Sequence, residues 1–348
     1  MDGAPHQRWG SYRPERCIMK QIEILFLSQK EILNLGLGMT EIIDLVEEGL
    51  IEHGRGGVEN PPKPGIHATP NSFIHAMPAY FKNLKIGGLK WVSGYPDNRE
   101  LGLPQIIGAI ILNDMKIGAP VCIMDGTWIT AVRTAAVSAI TAKYCARKDA
   151  RVLGIIGAGV QGRQNLIALK IVFPSLSKVK VFDINRETAI TYRDKLSPQI
   201  GAEIIVCNNV ESVAKGSDII VTATQRLSNP LIRNEWFEPG CLGMGLEASR
   251  AWHGEAILKA DKFITDDWEQ TKHFKAQGAF PDGLPKLYAE LGMVVCGEKP
   301  GRETDKERIL AINIGLALED IIVAHRIYEM AKAKKKDFKK LTLMEIGS

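Results

Sequence analysis

The stretch V-L-G-I-I-G-A-G-V-Q-G from Val152 to Gly162, carried on to K-V-K-V-F-D ending at Asp183, decides how the chain is read. Val152, Leu153, Ile155 and Ile156 form a short apolar run suited to a buried strand. The run enters Gly157, Ala158, Gly159, Val160, Gln161 and Gly162, and a helix-compatible segment follows from Arg163 to Val172. A second apolar run, Val179 to Phe182, ends on an acid. Strand, glycine-rich turn, helix, strand and acid is the order of a dinucleotide-binding unit. Gly157 permits the tight turn, Gly159 lets the backbone approach a pyrophosphate, and Gly162 allows close packing of helix on strand. The diphosphate then rests on free amides at the helix N-terminus. Asp183 lies at the interval of ~20 residues where a carboxylate accepts both ribose hydroxyls, which favours NAD. Arg186, just beyond, could accommodate a 2′-phosphate, so NADP stays an alternative.

Downstream the alternation continues. A helix is expected over Arg186 to Leu196, with strands at Ile204 to Val206, Ser217 to Thr224, Cys241 to Leu246 and Phe263 to Thr265. Ligands bind beyond the carboxyl ends of parallel strands, which nominates Thr222, Ala223 and Thr224 as cofactor-lining residues. Strands and helices alternating over roughly 150 residues argue for a doubly wound sheet. From Asp305 a long helix is expected, running through Ile309, Leu310, Ile312, Leu316, Ile321, Ile322, Ile327 and Met330 and returning to pack on the N-terminal part.

Upstream the pattern differs. Ile22 to Leu27 reads as a strand and Thr40 to His53 as an amphipathic helix with a glycine stop. The strand candidates Phe73 to Met77, Gly88 to Val92, Ile106 to Leu112 and Val121 to Met124 suggest a small, mostly antiparallel sheet. Three cations stand out. Lys63, between prolines in N-P-P-K-P-G, is either surface charge or functional. Lys90 in G-G-L-K-W-V faces away from Leu89 and Trp91, as an edge lysine or as a lysine in a cleft. Arg133 is the only charge from Thr127 to Ala142 and needs a partner. Its planar fork suits a carboxylate, whether a protein acid or, as favoured here, a substrate.

A chain of 348 residues is long enough for two domains. The net charge of +4 is local: Lys332 to Lys340 alone carries +5, leaving −1 for the rest. Such a run reads as a solvated helix end, so neither nucleic acid nor membrane is expected as a partner. The six cysteines have no paired spacing, and no His/Asp/Cys cluster has ligand spacing for a metal. The first 20 residues read as a loose polar leader with no apolar signal core. No run approaches ~18 apolar residues, so a cytoplasmic location is expected.

The chain resembles the ornithine cyclodeaminase/μ-crystallin family in M-P-A-Y (77–80), G-L-K-W-V (88–92), M-D-G-T-W-I-T-A-V-R-T-A-A-V-S-A (124–139) and I-I-G-A-G-V-Q-G (155–162). G-S-D-I-I-V-T-A-T (216–224) and G-L-A-L-E-D (315–320) also match. The resemblance implies a Rossmann domain, residues 149–305, inserted into an α+β substrate-binding and dimerisation domain made of residues 1–148 and 306–348. It implies a homodimer, and a small amino- or imino-acid substrate whose carboxylate and reacting nitrogen are surrounded by Lys63, Lys90 and Arg133. The family usually has arginine at Lys63, and cyclodeaminases tend to have glutamate at His75, which is expected to contact the substrate. Where cyclodeaminases carry a catalytic aspartate, this chain reads Glu247-Ala248-Ser249-Arg250, with Ser249 at the aspartate position. Ketimine reductases of the μ-crystallin type look similar there. A serine hydroxyl can hold a water or an imine nitrogen, but it does not accept a cationic ammonium as a carboxylate does.

These readings favour an NAD(P)-dependent oxidoreductase interconverting an α-amino acid or cyclic amine with its imine or keto acid, with Lys90 and Ser249 as the expected catalytic residues. Ornithine cyclodeaminase, a lyase that uses NAD without net consumption, is the first alternative. A non-catalytic crystallin-like binding protein is the second.

Overall fold

The structure, a computed structural model, describes residues 21–69, 72–225, 227–334 and 337–345. The expected leader at 1–20 lies outside the described residues.

Two eight-stranded sheets carry the chain. It starts with β1 (Gln21–Leu27), α1 (Gln29–Leu35) and α2 (Met39–Gly54). Ser28 caps α1 in a reciprocal box with Glu31, and Gly36 stops it at φ 82°. Short strands β2 (Val58–Glu59) and β3 (Gly65–Ile66) precede β4 (Phe73–Phe81), β5 (Ile86–Gly94), β6 (Ile106–Asn113) and β7 (Pro120–Asp125). Strands β4 to β7 form an antiparallel meander. The β6–β7 hairpin is tied by the Asp114 carboxylate, which accepts from the amides of Lys116 and Ile117, and by Gly118 at φ 75°. Helix α3 (Thr127–Cys145) follows, its small residues letting α2 and the second unit's first helix pack closely on it.

The second sheet is built from β8 (Val152–Ile156), α4 (Val160–Val172), β9 (Lys178–Phe182), α5 (Arg186–Ile200), β10 (Glu203–Val206), α6 (Val210–Ala214) and β11 (Ile219–Thr222). It continues with β12 (Leu242–Gly245), α7 (Gly254–Leu258), β13 (Lys262–Thr265), α8 (Trp268–Ala276), β14 (Leu287–Glu290), α9 (Leu291–Val295) and β15 (Ile309–Ile312). All neighbours are parallel, in the order β10-β9-β8-β11-β12-β15-β13-β14. The chain winds outward from β8 to β10, then returns to β11, so the topological switch point lies between β8 and β11. The doubly wound Rossmann sheet expected from the fingerprint is present.

The C-terminal segment differs from expectation. Residues 309–312 are not the start of a helix but β15, a strand buried along its whole length between β12 and β13. A short run such as I-L-A-I fits a buried strand as well as a helix, and sheet packing decides between them. The helix, α10 (Ala317–Ala333), begins eight residues after Ile309, so a domain boundary at 305/306 would cut a strand from the second sheet. Helix α10 does return to the first sheet, packing on β4, β5, β6, α2 and α3. The lysine run then spans the helix end and opens an unanticipated strand, β16 (Lys340–Glu345), antiparallel to β1 at the sheet edge. No helix among the described residues is long and apolar enough to cross a membrane.

Candidate active site

At the switch point the glycines hold the positions their spacing implied. Gly157 has φ 104°, and a Cβ there would run into the carbonyl of Ala223; a Cβ on Gly162 would run into the carbonyl of Gly157. Above Gly159, the N-cap of α4, there is open space, and neither a side-chain cap nor a first-turn acid occupies the helix end. Close packing at two glycines and room at the third leave the backbone amides of Val160 to Gly162 available to a diphosphate. Asp183 accepts from the amide of Ala158 at 2.8 Å and from that of Asn185 at 2.9 Å. A carboxylate has about four acceptor positions, so lone pairs remain for ribose hydroxyls. The residues therefore fit NAD. Arg186 Nη1 donates to Asn208 Oδ1 at 2.6 Å, beside this corner. Gly157→Ala is expected to weaken NADH binding about tenfold or more, read as lost enhancement of NADH fluorescence, because alanine at φ 104° is strained and collides with Ala223.

The other proposed lining residues divide. The Thr222 side chain is fully buried within the sheet, where its hydroxyl accepts from Trp252 Nε1 at 3.2 Å and contacts the Met244 carbonyl. Thr224, by contrast, has a buried hydroxyl with no partner, as does the Gln161 side-chain oxygen.

Lys90, Arg133 and Lys63 come together from three separate parts of the chain. Lys90 lies on β5, an interior strand, between Met77 and Ile110, so it is no edge lysine. It is fully buried, and its Nζ meets Asp320 Oδ2 at 2.5 Å and Thr130 Oγ1 at 3.4 Å. Arg133, one face of α3, directs Nη1 to Glu319 Oε2 at 2.6 Å and Nε to Asp320 Oδ1 at 3.0 Å. Lys63 Nζ donates to the carbonyls of Ile314 and Gly315 at 2.8 and 3.0 Å and stands 5.1 Å over the Phe274 ring. It is a buried residue, not surface charge. Arg133 thus has the protein acids that were the alternative to a substrate carboxylate, one at Nη1 and one at Nε. Its Nη2 makes no hydrogen bond among the described residues.

The electrostatics follow from burial. Desolvation, helped by the Arg133 charge and opposed by Asp320, lowers Lys90 from the usual lysine range to about 7. Desolvation likewise brings Lys63 to about 8, with Asp266 pulling the other way. Glu319 is pushed up to about 7 by burial against the pull of Arg133. His75 on β4, stacked on Phe73 at 4.4 Å, falls to about 3 through burial and the nearby positive charge of Lys63, and is neutral. Three cations and three buried carboxylates (Asp266, Glu319, Asp320) form one group. Within it Lys90, Lys63 and Glu319 are brought near neutrality, the condition under which a side chain can both give and take a proton.

The three acids were not assigned from sequence. Glu319 and Asp320 stand in G-L-A-L-E-D between Leu318 and Ile321, charges inside an apolar helical run just like Arg133 in its own. That shared anomaly was a signal that they pair. Asp266 ends β13 and accepts from the Gly315 amide. Ser249 was expected to be catalytic. The structure buries it and has its Oγ accept from the Phe280 amide at 2.7 Å, tying the 278–283 loop to the end of β12. It lines a cavity of about 300 Å3 with Leu227, Pro230, Arg250 and Asp282, and neither Lys90 nor Arg133 reaches that cavity.

Because all strands of the second sheet are parallel, their carboxyl ends share one edge. Gly157 follows β8, Thr224 follows β11, Glu247 follows β12, Gly315 follows β15 and Asp266 follows β13. The nucleotide cradle and the ionic group therefore occupy the same edge, the group lying toward β15 and β13.

Comparison with known proteins agrees with this architecture. The model of the ornithine cyclodeaminase/mu-crystallin family matches residues 23–335. An alanine dehydrogenase of Archaeoglobus fulgidus is 34% identical over 323 residues, covering 90% of this chain and 97% of the relative. The structure of Thermococcus litoralis Delta(1)-pyrroline-2-carboxylate reductase in complex with NADH and L-proline superposes with a TM-score of 0.81 at 34% identity, covering 89% of this chain and 98% of that one. An archaeal alanine dehydrogenase dimer with bound NAD gives 0.81 at 32% identity, covering 93% and 100%. With a doubly wound cradle, a buried lysine on the first sheet beside a buried arginine on α3, and a match over nearly its whole length, the chain belongs to the ornithine cyclodeaminase/mu-crystallin family.

Proposed function

We propose that the protein is an NAD(H)-dependent oxidoreductase that interconverts an α-amino acid, or a cyclic or N-substituted amine, with its imine or keto acid. One observation carries the reading: Lys90, fully buried between Asp320 and Thr130 with its pKa lowered to about 7, lies beside Arg133 in an ionic group that reaches, through Lys63 and Asp266, the edge bearing the nucleotide cradle. When bound, the nicotinamide supplies or accepts hydride. Arg133, through its unengaged Nη2, and Lys63 orient the substrate carboxylate and with it the α-carbon. Lys90 gives a proton to the substrate nitrogen as the imine is reduced and takes it back in the reverse direction. Asp320, bonded to both Lys90 and Arg133, fixes their relative position.

The relatives' substrates point the same way, one being an alanine dehydrogenase and another a reductase solved with L-proline. The test is a panel of cyclic imines and of keto acids with ammonia, scored by NADH consumption, together with amino acids scored by NADH formation. Turnover of at least one pair in both directions is expected. Ornithine converted to proline and ammonia with no net NADH would instead establish the cyclodeaminase alternative, which Ser249 at the aspartate position disfavours. NADH bound but never oxidised would establish a binding protein.

A homodimer is part of this reading. On the side of the first sheet away from α10, Trp91 is 46% exposed and Ile107 40% exposed on neighbouring strands. Exposed apolar side chains side by side on a sheet face are suited to self-association. Trp91→Glu is expected to shift the protein from dimer to monomer in light scattering, with the NADH affinity of the cradle retained.

A further inference from the structure

Glu247 has no part in the chemistry so far. It sits at the carboxyl end of β12, followed by Ala248 at φ 58°, a left-handed conformation that alanine seldom adopts. Both of its carboxyl oxygens are shielded from solvent, and neither has a hydrogen-bond partner. No cation among the described residues pairs with it. Burial pushes the group up to about 7, against the pull of the nearby Thr222 hydroxyl and the backbone amides of Thr224, Glu247 and Leu246, none of which is placed to make a hydrogen bond of good geometry to either oxygen. A buried carboxyl with no well-formed hydrogen bond is costly, and in a folded protein the arrangement calls for a ligand.

The position indicates which ligand. Unpartnered buried polar atoms occur at the mouths of three adjacent strands: Gln161 after β8, Thr224 after β11 and Glu247 after β12. A dinucleotide with its adenosine ribose at Asp183 after β9 and its diphosphate on α4 must run its second half across β11 and β12. At a strand spacing of ~4.8 Å, β12 lies about 10 Å from β8, the reach of a ribose and its attached ring. The donors on that half are the ribose hydroxyls and the carboxamide N–H groups. Its ring is positive only when oxidised.

We propose that Glu247 is the acceptor for the nicotinamide-riboside half of the cofactor, and that its negative charge biases the protein toward binding NAD+ over NADH. The inference rests on cofactor binding and is independent of the substrate reading above. A carboxylate hydrogen-bonded to a ligand and close to a positive ring acts on that ring more strongly in a water-poor site than in bulk solvent.

Calorimetric titration of the full chain with NAD+, NADH and ADP tests it. In E247Q, the ratio of the NAD+ dissociation constant to that of NADH is expected to rise about tenfold, with ADP affinity unchanged, since ADP lacks the nicotinamide riboside. E247D, which keeps the charge, is expected to hold the ratio within about threefold of the parent. An unchanged ratio in E247Q overturns the proposal. So does a loss of ADP affinity equal to the loss for the dinucleotides, which would place the effect on the cradle itself. A ratio in E247D shifted as far as tenfold would overturn the role of charge.

Discussion

Lys90→Met is expected to abolish turnover, with a loss of 10²–10⁴-fold or more in kcat, while the dissociation constant for NADH stays within about twofold of the parent. The separation follows from the architecture. Lys90 belongs to β5 of the first sheet, whereas the cradle is built wholly from the second. Methionine fills a similar volume between Met77 and Ile110, and Asp320 keeps Arg133 as its partner. The fold should therefore persist. Unchanged turnover would remove Lys90 from the mechanism. The parent's pH profile supplies a second reading. With Lys90 at about 7, imine reduction, which needs the ammonium form, should decline as pH rises through 7, and amine oxidation, which needs the free amine, should increase.

The same lysine leaves a mark on stability, with a definite sign. Its pKa in the folded chain is about 7, against an ordinary value of 10.5. Below pH 7 both folded and unfolded chains hold the proton, so the group adds no pH dependence. Between 7 and 10.5 the unfolded chain holds a proton the folded one has released, so this group's contribution to stability grows with pH. In Lys90→Met that rise should be absent from urea-unfolding free energies measured across the window.

Asp320→Asn should produce the largest loss of stability among these variants, about 3–5 kcal/mol by urea denaturation. Asp320 is fully buried and bonded to two cations, to Lys90 through Oδ2 and to Arg133 through Oδ1. An asparagine carries no charge, so two cations share a dry site with Glu319 as the only adjoining acid of α10. Lys90 can relieve the imbalance by losing its proton; Arg133 cannot. The double variant Lys90→Met/Asp320→Asn should accordingly cost at least ~1 kcal/mol less than the sum of the two single changes. Strict additivity would show that the two side chains do not act on each other.

Much of the second sheet was legible because its signals are local. Gly157, Gly159 and Gly162 are set by backbone requirements within a few residues of one another, and the helix and acid that follow lie within one supersecondary unit. The strand at 309–312 was not legible, because four apolar residues carry no period long enough to separate strand from helix. Nor was β16, whose residues are all exposed and which pairs with β1, some 300 residues earlier.

By itself the sequence determined the cofactor cradle, the identity of the three cations and the fact that Lys90 and Arg133 stand where charge is unwelcome. Charge in an apolar run is an anomaly visible without coordinates. Only the tertiary structure decided what each charge meets. It brought Asp320 from α10 between Lys90 on β5 and Arg133 on α3, and it placed Lys63 on the carbonyls after β15. It also engaged Ser249 with the Phe280 amide and left Glu247 without a partner. The physical reason is that propensity and backbone strain act over a turn or two. The free energy of a buried ion depends instead on groups that arrive from anywhere in the chain, here from residues up to 252 positions away.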